Sequence, residues 1–257
     1  MSEIRLHSVR EGQGPLVVLS HALGCDLHMW DDVAALLRDD HSVLRYDHRG
    51  HGRSEGAAGP FTIEALAEDA AALIRREATG RPVHFVGLSM GGMTVQALAV
   101  AQPGLLASVT IANSSAWYPD RAPWQARVQT VRAQGIAPIA DGAVARWLTP
   151  GFVATPEGAA AAARLRATLV ASDPAAYIAS CEAVAAIDFR DGNRRINRPT
   201  LVIGGLQDEA TPLAMSQQIA EAVEGARLVT IDAAHISAVE RPADFVALLR
   251  EFWRGVS

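Results

Sequence analysis

Three residues of this chain have the types and the order that nucleophilic catalysis requires: Ser89, Asp208 and His235. Ser89 lies within Gly-Leu-Ser-Met-Gly-Gly at positions 87–92, and so within a Gly-x-Ser-x-Gly pattern. A hydroxyl is a weak nucleophile until a neighbouring base takes its proton, and that base needs an acid to orient it. A serine, a histidine and an aspartate together carry out acyl transfer through a covalent intermediate. The short pattern alone also arises in ordinary glycine-rich turns, so the elements around it decide.

Those elements alternate. Short β-branched runs occur at Leu16 to Leu19, Ser42 to Tyr46, Val83 to Val86, Ser108 to Ile111, Thr200 to Ile203 and Arg227 to Ile231. Several are apolar without a polar alternate face, as strands covered on both sides of a parallel sheet are. Helical periodicity fills the intervals, as at Ile63 to Glu77, with apolar residues at Ile63, Leu66, Ala70 and Leu73. The pattern predicts an α/β sheet with right-handed crossovers. The stretch Ile4 to Val9 is expected to add an antiparallel leading strand.

Between about Trp117 and Arg195 the alternation stops. The region is Ala-rich, helical in pattern, and punctuated by Pro119, Pro123, Pro138, Pro150, Pro156 and Pro174. It is expected to form a helical cap, residues 117–195, inserted into a core made of residues 1–116 and 196–257. Such a cap would cover the carboxyl edge of the sheet, where open α/β sheets bind ligands.

Placed on this framework, Ser89 follows a buried strand and precedes the helical run from Met93. Strand, turn and helix around Gly-x-Ser-x-Gly are the context of a nucleophile elbow. Gly87 and Gly91 then have a steric reason, because the turn brings backbone too close for a Cβ. The helix that starts at the serine presents N–H groups and a dipole favourable to an oxyanion. Asp208 sits on the loop after the strand Thr200 to Ile203, and His235 on the loop after Arg227 to Ile231. Both are carboxyl ends of strands. Glu209 and Asp232 compete for the role of acid, but the Asp-x-x-Thr-Pro pattern sets Asp208 at the turn itself. The loop that follows Leu16 to Ser20 reads His21-Ala22-Leu23-Gly24-Cys25, and the backbone N–H groups of Leu23 and Met90 are the expected oxyanion donors. His21 is expected to orient that loop, and His48 and His51 to serve as scaffold. Cys25 and Cys181 read as packing residues with free thiols.

Composition narrows the field further. The 257 residues carry a net charge of −5, with 49% hydrophobic and 20% charged residues, which suits a globular domain with a substantial core. Lys and Arg are scattered singly, so neither nucleic acid nor an anionic membrane is an expected partner. No apolar run of about 18 residues offers a membrane span. The polar start, Met1-Ser2-Glu3-Ile4-Arg5, lacks the apolar core of a secretion signal, so the expected location is the cytoplasm. No His, Cys and carboxylate cluster has metal-ligand spacing and no glycine loop is built for phosphate, so neither metal nor organic cofactor is expected.

From end to end the motifs resemble the α/β-hydrolase superfamily. Within it, the chain looks like the 3-oxoadipate enol-lactonases, on the segments "LRYDHRGHGRS", "GLSMGGM", "ARWLTPGF", "YIASCEAVAAIDFR", "PTLVIGGLQDEATP" and "AAHISAVERP". The cap segments weigh most, since caps diverge widely across the superfamily. The loop His21-Ala22-Leu23-Gly24 departs from the Asn-Ser-Leu-Gly-like form usual in the enol-lactonases. The resemblance implies the α/β-hydrolase fold, a mostly parallel sheet flanked by helices with an inserted helical cap. It also implies a small lactone substrate with a free carboxylate. Trp124 and Arg127, three apart and so on one helical face, match a family segment and would meet that carboxylate; Trp147 would line the pocket or anchor the cap. Other ester, peracid or carbon–carbon bond hydrolases on the same scaffold stay open, as does a non-catalytic binder, because one fold hosts many functions.

Overall fold

The computed structural model describes residues 4–56 and 59–256. Seven strands form one sheet: β1 (Ser8–Glu11), β2 (Leu16–Ser20), β3 (Ser42–Tyr46), β4 (Val83–Leu88), β5 (Leu106–Ala112), β6 (Thr200–Gly205) and β7 (Arg227–Ile231). Their order is β1-β3-β2-β4-β5-β6-β7, with only β1 antiparallel, paired to β3. Strands β2, β3 and β6 are buried at every position, whereas the edge strands β1 and β7 are largely half-exposed. Uninterrupted apolar runs are thus the strands with both faces covered.

The helices of the sheet framework are α1 (Asp31–Leu37), α2 (Ile63–Glu77) and α3 (Met90–Ala101). Between β5 and β6 lie α4 (Ala122–Gln134), α5 (Ala137–Trp147), α6 (Pro150–Val153), α7 (Pro156–Ala171), α8 (Pro174–Ala186) and α9 (Arg190–Asn193). After β6 come α10 (Leu213–Ala222), α11 (Ser237–Glu240) and α12 (Pro242–Trp253). Local chemistry starts and stops these helices where the fold needs them. In α2 the Thr62 hydroxyl accepts from Ala65 N–H, Glu64 sits in the first turn, and Arg75 and Arg76 in the last, matching the helix dipole. Its buried stripe of Ile63, Leu66, Ala70 and Leu73 packs on α3. On α1, Trp30 at the helix start meets Phe245 of α12 at 5.8 Å between ring centroids.

Helix α3 follows Ser89 and is buried from Met90 through Ala99. Such a helix cannot be amphipathic, and its sequence of Met, Gly, Val, Ala and Leu shows no polar face. Its one buried amide side chain, Gln96, donates to Gly92 and Ser115 carbonyls and accepts from Asn193.

The excursion between β5 and β6 is helical throughout, apart from one isolated antiparallel bridge between Trp117 and Asp188 at its neck. Helix α4 packs on α5 and α8, and α7 packs on α5 and α6. Its last helix, α9, instead sits against α3 and α10 of the sheet framework. The leading strand differs from expectation: it spans Ser8–Glu11, not Ile4 to Val9, because its register is fixed by pairing Ser8 with Tyr46 and Glu11 with Val43. Among the described residues no helix is long and apolar enough to cross a membrane.

Candidate active site

The turn between β4 and α3 is under backbone strain at the residue that matters. Ser89 adopts φ 59° and ψ −117°, a region that side-chain-bearing residues rarely occupy and that costs on the order of 1–3 kcal/mol. The glycines around it permit this. A Cβ on Gly87 would lie 2.2 Å from Gly91 O, and one on Gly91 would lie 2.0 Å from Ser20 O. The same close approach presses the elbow against the end of β2 and so brings the loop bearing Leu23 beside Met90. Among the described residues neither the Leu23 N–H nor the Met90 N–H donates to another protein group. Both are therefore free to receive an anion.

His235 joins the other two residues. Its Nε2 lies 2.9 Å from Ser89 Oγ, and its Nδ1 lies 2.9 Å from Asp208 Oδ2 and 3.1 Å from Oδ1. Because the carboxylate can only accept, Nδ1 carries the proton and Nε2 faces the serine as an acceptor. The three side chains, far apart in sequence, are buried together with Ser89 exposed by 9%, Asp208 by 5% and His235 by 4%. Glu209, the neighbouring acid, lines the cavity, and Asp232 is engaged by Gln207 Nε2 at 2.8 Å.

Asp208 stays ionised despite its burial. Burial alone would push the carboxyl up. Electrostatic attraction and the hydrogen bond to His235, the Thr211 N–H and the Asn113 amide outweigh it and hold the group down at about 2. Besides His235, the carboxylate accepts from Ala210 N and Thr211 N through Oδ1, and from Thr211 Oγ1 and Asn113 Nδ2 through Oδ2.

The loop bearing Leu23 is held by imidazoles. His21 Nδ1–H donates to Ala22 O at 2.7 Å, and its Nε2 accepts from His48 N–H at 3.0 Å. His51 Nε2 accepts from Gly24 N–H at 3.3 Å, and Ser20 Oγ joins His48 Nε2 and the Tyr46 hydroxyl. Asp47 underlies the arrangement, accepting from Leu27 N and Arg53 N. Burial lowers the pKa of His21 to about 4 and that of His51 to about 3, and holds His48 well below its ordinary value with help from the other two rings.

These neutral rings link stability to pH. In the unfolded chain each imidazole takes up a proton below about pH 6.5, whereas the folded chain resists until far lower. The stability they confer is therefore fully present above about pH 6.5 and declines as pH falls toward 4, by up to about 1.4 kcal/mol per pH unit for each ring. The melting temperature is expected to fall steadily across that window. A melting temperature that holds level from neutrality down to about pH 4 would contradict the assignment.

A cavity of about 660 Å³ opens above Ser89 and His235. Leu23, Tyr118, Trp124, Arg127, Arg146, Trp147, Glu209 and Met215 line it. Trp124 and Arg127 both line the cavity and share a helical face as their spacing predicts, with the guanidinium carbon 4.7 Å from the indole centroid. Trp147 both lines the cavity and anchors α5, its carbonyl accepting from Ile236 N at 2.9 Å beside His235. Neither Arg127 nor Arg146 has a carboxylate within ion-pair distance among the described residues. Arg146 and Tyr118 were not foreseeable as cavity residues, since nothing local marks them. Glu240 was likewise silent: its buried carboxylate accepts from Ala234 N, Thr149 N and the Thr149 hydroxyl, tying the α5–α6 junction to the His235 loop. Cys25 and Cys181 are free and buried, and burial raises both thiols, that of Cys181 to about 12.

A model of the alpha/beta hydrolase fold family matches residues 15–242. The chain is 38% identical over 246 residues to 3-oxoadipate enol-lactonase 2 of Acinetobacter baylyi, across 95% of this chain and 91% of that one. The enol-lactonase structure from Burkholderia xenovorans superposes with a TM-score of 0.92 at 36% identity, covering 98% of this chain and 97% of that one. A thermophilic esterase from Thermogutta terrifontis, solved with malate bound, superposes with a TM-score of 0.91 at 26% identity, covering 98% and 94%.

Proposed function

The chain belongs to the alpha/beta hydrolase fold family and is a hydrolase of ester or lactone bonds; from that premise we propose that it opens a small enol-lactone bearing a free carboxylate, of the kind that yields 3-oxoadipate, through Ser89, His235 and Asp208. The observation that carries the reading is the single imidazole bridging Ser89 Oγ at 2.9 Å and Asp208 Oδ2 at 2.9 Å. The likeness to enol-lactonases over nearly the whole chain supports the substrate class.

In this mechanism His235 Nε2 takes the Ser89 proton as Oγ attacks the lactone carbonyl carbon. The Leu23 and Met90 N–H groups receive the oxyanion, and Asp208 balances the imidazolium. Collapse breaks the ring carbon–oxygen bond, and His235 returns the proton to the departing enol oxygen. That leaving group stays tethered, because the ring becomes the acyl chain on Ser89. Water, deprotonated by His235, then attacks the acyl carbon; the bond to Ser89 Oγ breaks, His235 returns the proton to that oxygen, the carboxylate leaves, and the enol tautomerises to the ketone. The helices from α4 to α8 act as a cap over this cavity, excluding water while the enzyme chooses its substrate.

Arg127, stacked on Trp124, is the receptor for the substrate carboxylate. A weakly acidic protein does not steer an anion by its net charge, so a local guanidinium is needed. Replacing Arg127 with glutamine is expected to raise KM for the enol-lactone by about 10- to 100-fold, the worth of a charge-assisted hydrogen bond. Turnover at saturation changes little, and small neutral esters are hydrolysed as before. The steady-state comparison decides between this reading and that of a neutral-ester esterase, for which the thermophilic esterase is the structural parallel. Equal losses on both substrates would remove the carboxylate role from Arg127.

A further inference from the structure

Asn113, one residue beyond the end of β5, bonds the Asp208 carboxylate and the carbonyl of Ala234, the residue before His235. It is fully buried and adopts φ 45°, one of three non-glycine residues at positive φ among those described, Ser89 being another. Its backbone N–H donates to Ile203 O, which holds it beside β6. Its amide Nδ2 lies 3.0 Å from Asp208 Oδ2 and 3.2 Å from Ala234 O, and its Oδ1 accepts from Ser237 Oγ at 2.6 Å. Those partners fix the amide's orientation: the reverse rotamer would set its oxygen against a carboxylate and a carbonyl.

We propose that Asn113 is a positioning residue that holds the loop of Asp208 and the loop of His235 in register, so that acid and base meet at Ser89. The proposal rests on the serine-hydrolase reading above, not on the identity of the lactone. The end of β5 and the loops of Asp208 and His235 converge on one amide, which adds a third element to the direct bond between His235 and Asp208. Gly205 is bare to admit it, since a Cβ there would lie 2.7 Å from Asn113 Nδ2 and 2.8 Å from the carbonyl oxygens of Ala233 and Ala234. The left-handed backbone aims the side chain back along the edge of the sheet, and asparagine tolerates that conformation better than most residues. A hydrogen bond that merely filled a buried gap would need neither the strained backbone nor two separate loops as acceptors.

The amide also acts electrostatically. Its N–H₂ presents partial positive charge to Asp208 Oδ2, so removing it leaves that carboxylate a stronger partner for the imidazolium formed in the reaction. The other charged or titratable groups around His235 are Asp208 and Glu209 on their loop, Tyr118 and Asp120 before α4, Arg127 on α4, Arg146 on α5 and Glu240 on α11. Substitution at 113 removes none of these seven.

The experiment follows the rate of labelling by a fluorophosphonate, and kcat and KM for p-nitrophenyl acetate, against pH, with thermal unfolding as the check on folding. Asn113→Gly keeps the left-handed backbone without steric cost and removes only the amide. It is expected to fold, to slow labelling and kcat by about 10- to 100-fold with little change in KM, and to move the acid limb of the profile up by about half a pH unit. Asn113→Asp keeps the shape and the acceptor for Ser237 but turns an oxygen toward Asp208. Its acid limb moves further up, since a second carboxylate favours the imidazolium. If the glycine variant does not fold, the aspartate variant is read by the same criterion. Rates within about twofold of the parent overturn the proposal. So does a loss that leaves the acid limb in place or merely tracks the unfolded fraction. Failure of the parent protein to label or turn over would instead strike at the serine-hydrolase reading.

Discussion

Ser89→Ala is expected to reduce hydrolysis of both the lactone and simple esters by about 10⁴-fold or more, with ligand affinity largely kept. The loss falls on kcat because the removed oxygen is the atom that forms the acyl bond. What remains is the contribution of the Leu23 and Met90 N–H groups and of the cavity. The fold should survive, because among the described residues Ser89 Oγ bonds His235 Nε2 alone. The backbone offers a second reading of the same position. At φ 59° a glycine relieves strain that serine and alanine both carry, so Ser89→Gly should melt higher than Ser89→Ala, by about 1 kcal/mol of stability. Steady-state assays and calorimetry on the two variants check both halves. Ester turnover by Ser89→Ala within about tenfold of the parent would exclude Ser89 as the nucleophile.

Asp208→Asn should cost nearly as much in rate, about 10³- to 10⁴-fold in kcat, while preserving the outline of the site. An asparagine at 208 meets donors on both sides: Ala210 N and Thr211 N at one oxygen, Thr211 Oγ1 and Asn113 Nδ2 at the other. Its NH₂ must therefore face a donor or turn toward His235. If it turns toward His235 it imposes the wrong tautomer, with the proton on Nε2 where the serine proton has to go. If it does not, a buried donor is left unpaired at a cost of about 1–3 kcal/mol.

The pH dependence has a definite sign. The Asp208 carboxyl is held at about 2, below its value of about 3.9 in an unfolded chain. A depressed acid contributes stability that is fully present above the unfolded value and is lost as pH falls through the folded one. The parent protein should therefore lose this contribution between about pH 4 and 2, and the asparagine variant should not. Unfolding free energies measured across that window, set beside the kinetic loss at neutral pH, make the test. A variant that retains kcat would show that another acid serves His235.

Much of the architecture was legible because it repeats locally. Strands Ser42–Tyr46 and Arg227–Ile231 and helix Ile63–Glu77 occupy the residues that β-branching and a 3.6-residue apolar stripe indicate. The leading strand was misplaced because an edge strand has no continuous apolar run to mark it, and its partner β3 sets its limits. The buried strands extend one or two residues beyond their apolar runs, as at Val83–Leu88, because ladder hydrogen bonds continue through Gly87 where side-chain pattern gives no signal.

The site divides along the same line. Ser89, Asp208 and His235 could be found from sequence because each follows a strand, and strand ends of a parallel sheet converge on one edge whatever the side chains between them. Leu23 and Met90 are proposed on the same ground, since a backbone donor depends on where the chain passes and not on what it carries. Asn113, Arg146, Tyr118 and Glu240 could not be found in this way. Each is ordinary in its own stretch and acquires meaning only from a partner many residues away: Asn113 from Asp208 and Ala234, Glu240 from Thr149, Arg146 and Tyr118 from a shared cavity. Local periodicity and turn chemistry determine the elements and the edge at which chemistry takes place. The distances that turn those residues into a working set come from long-range packing, such as the approach of Gly91 to Ser20 and of Gly205 to Asn113, and only the folded chain decides them.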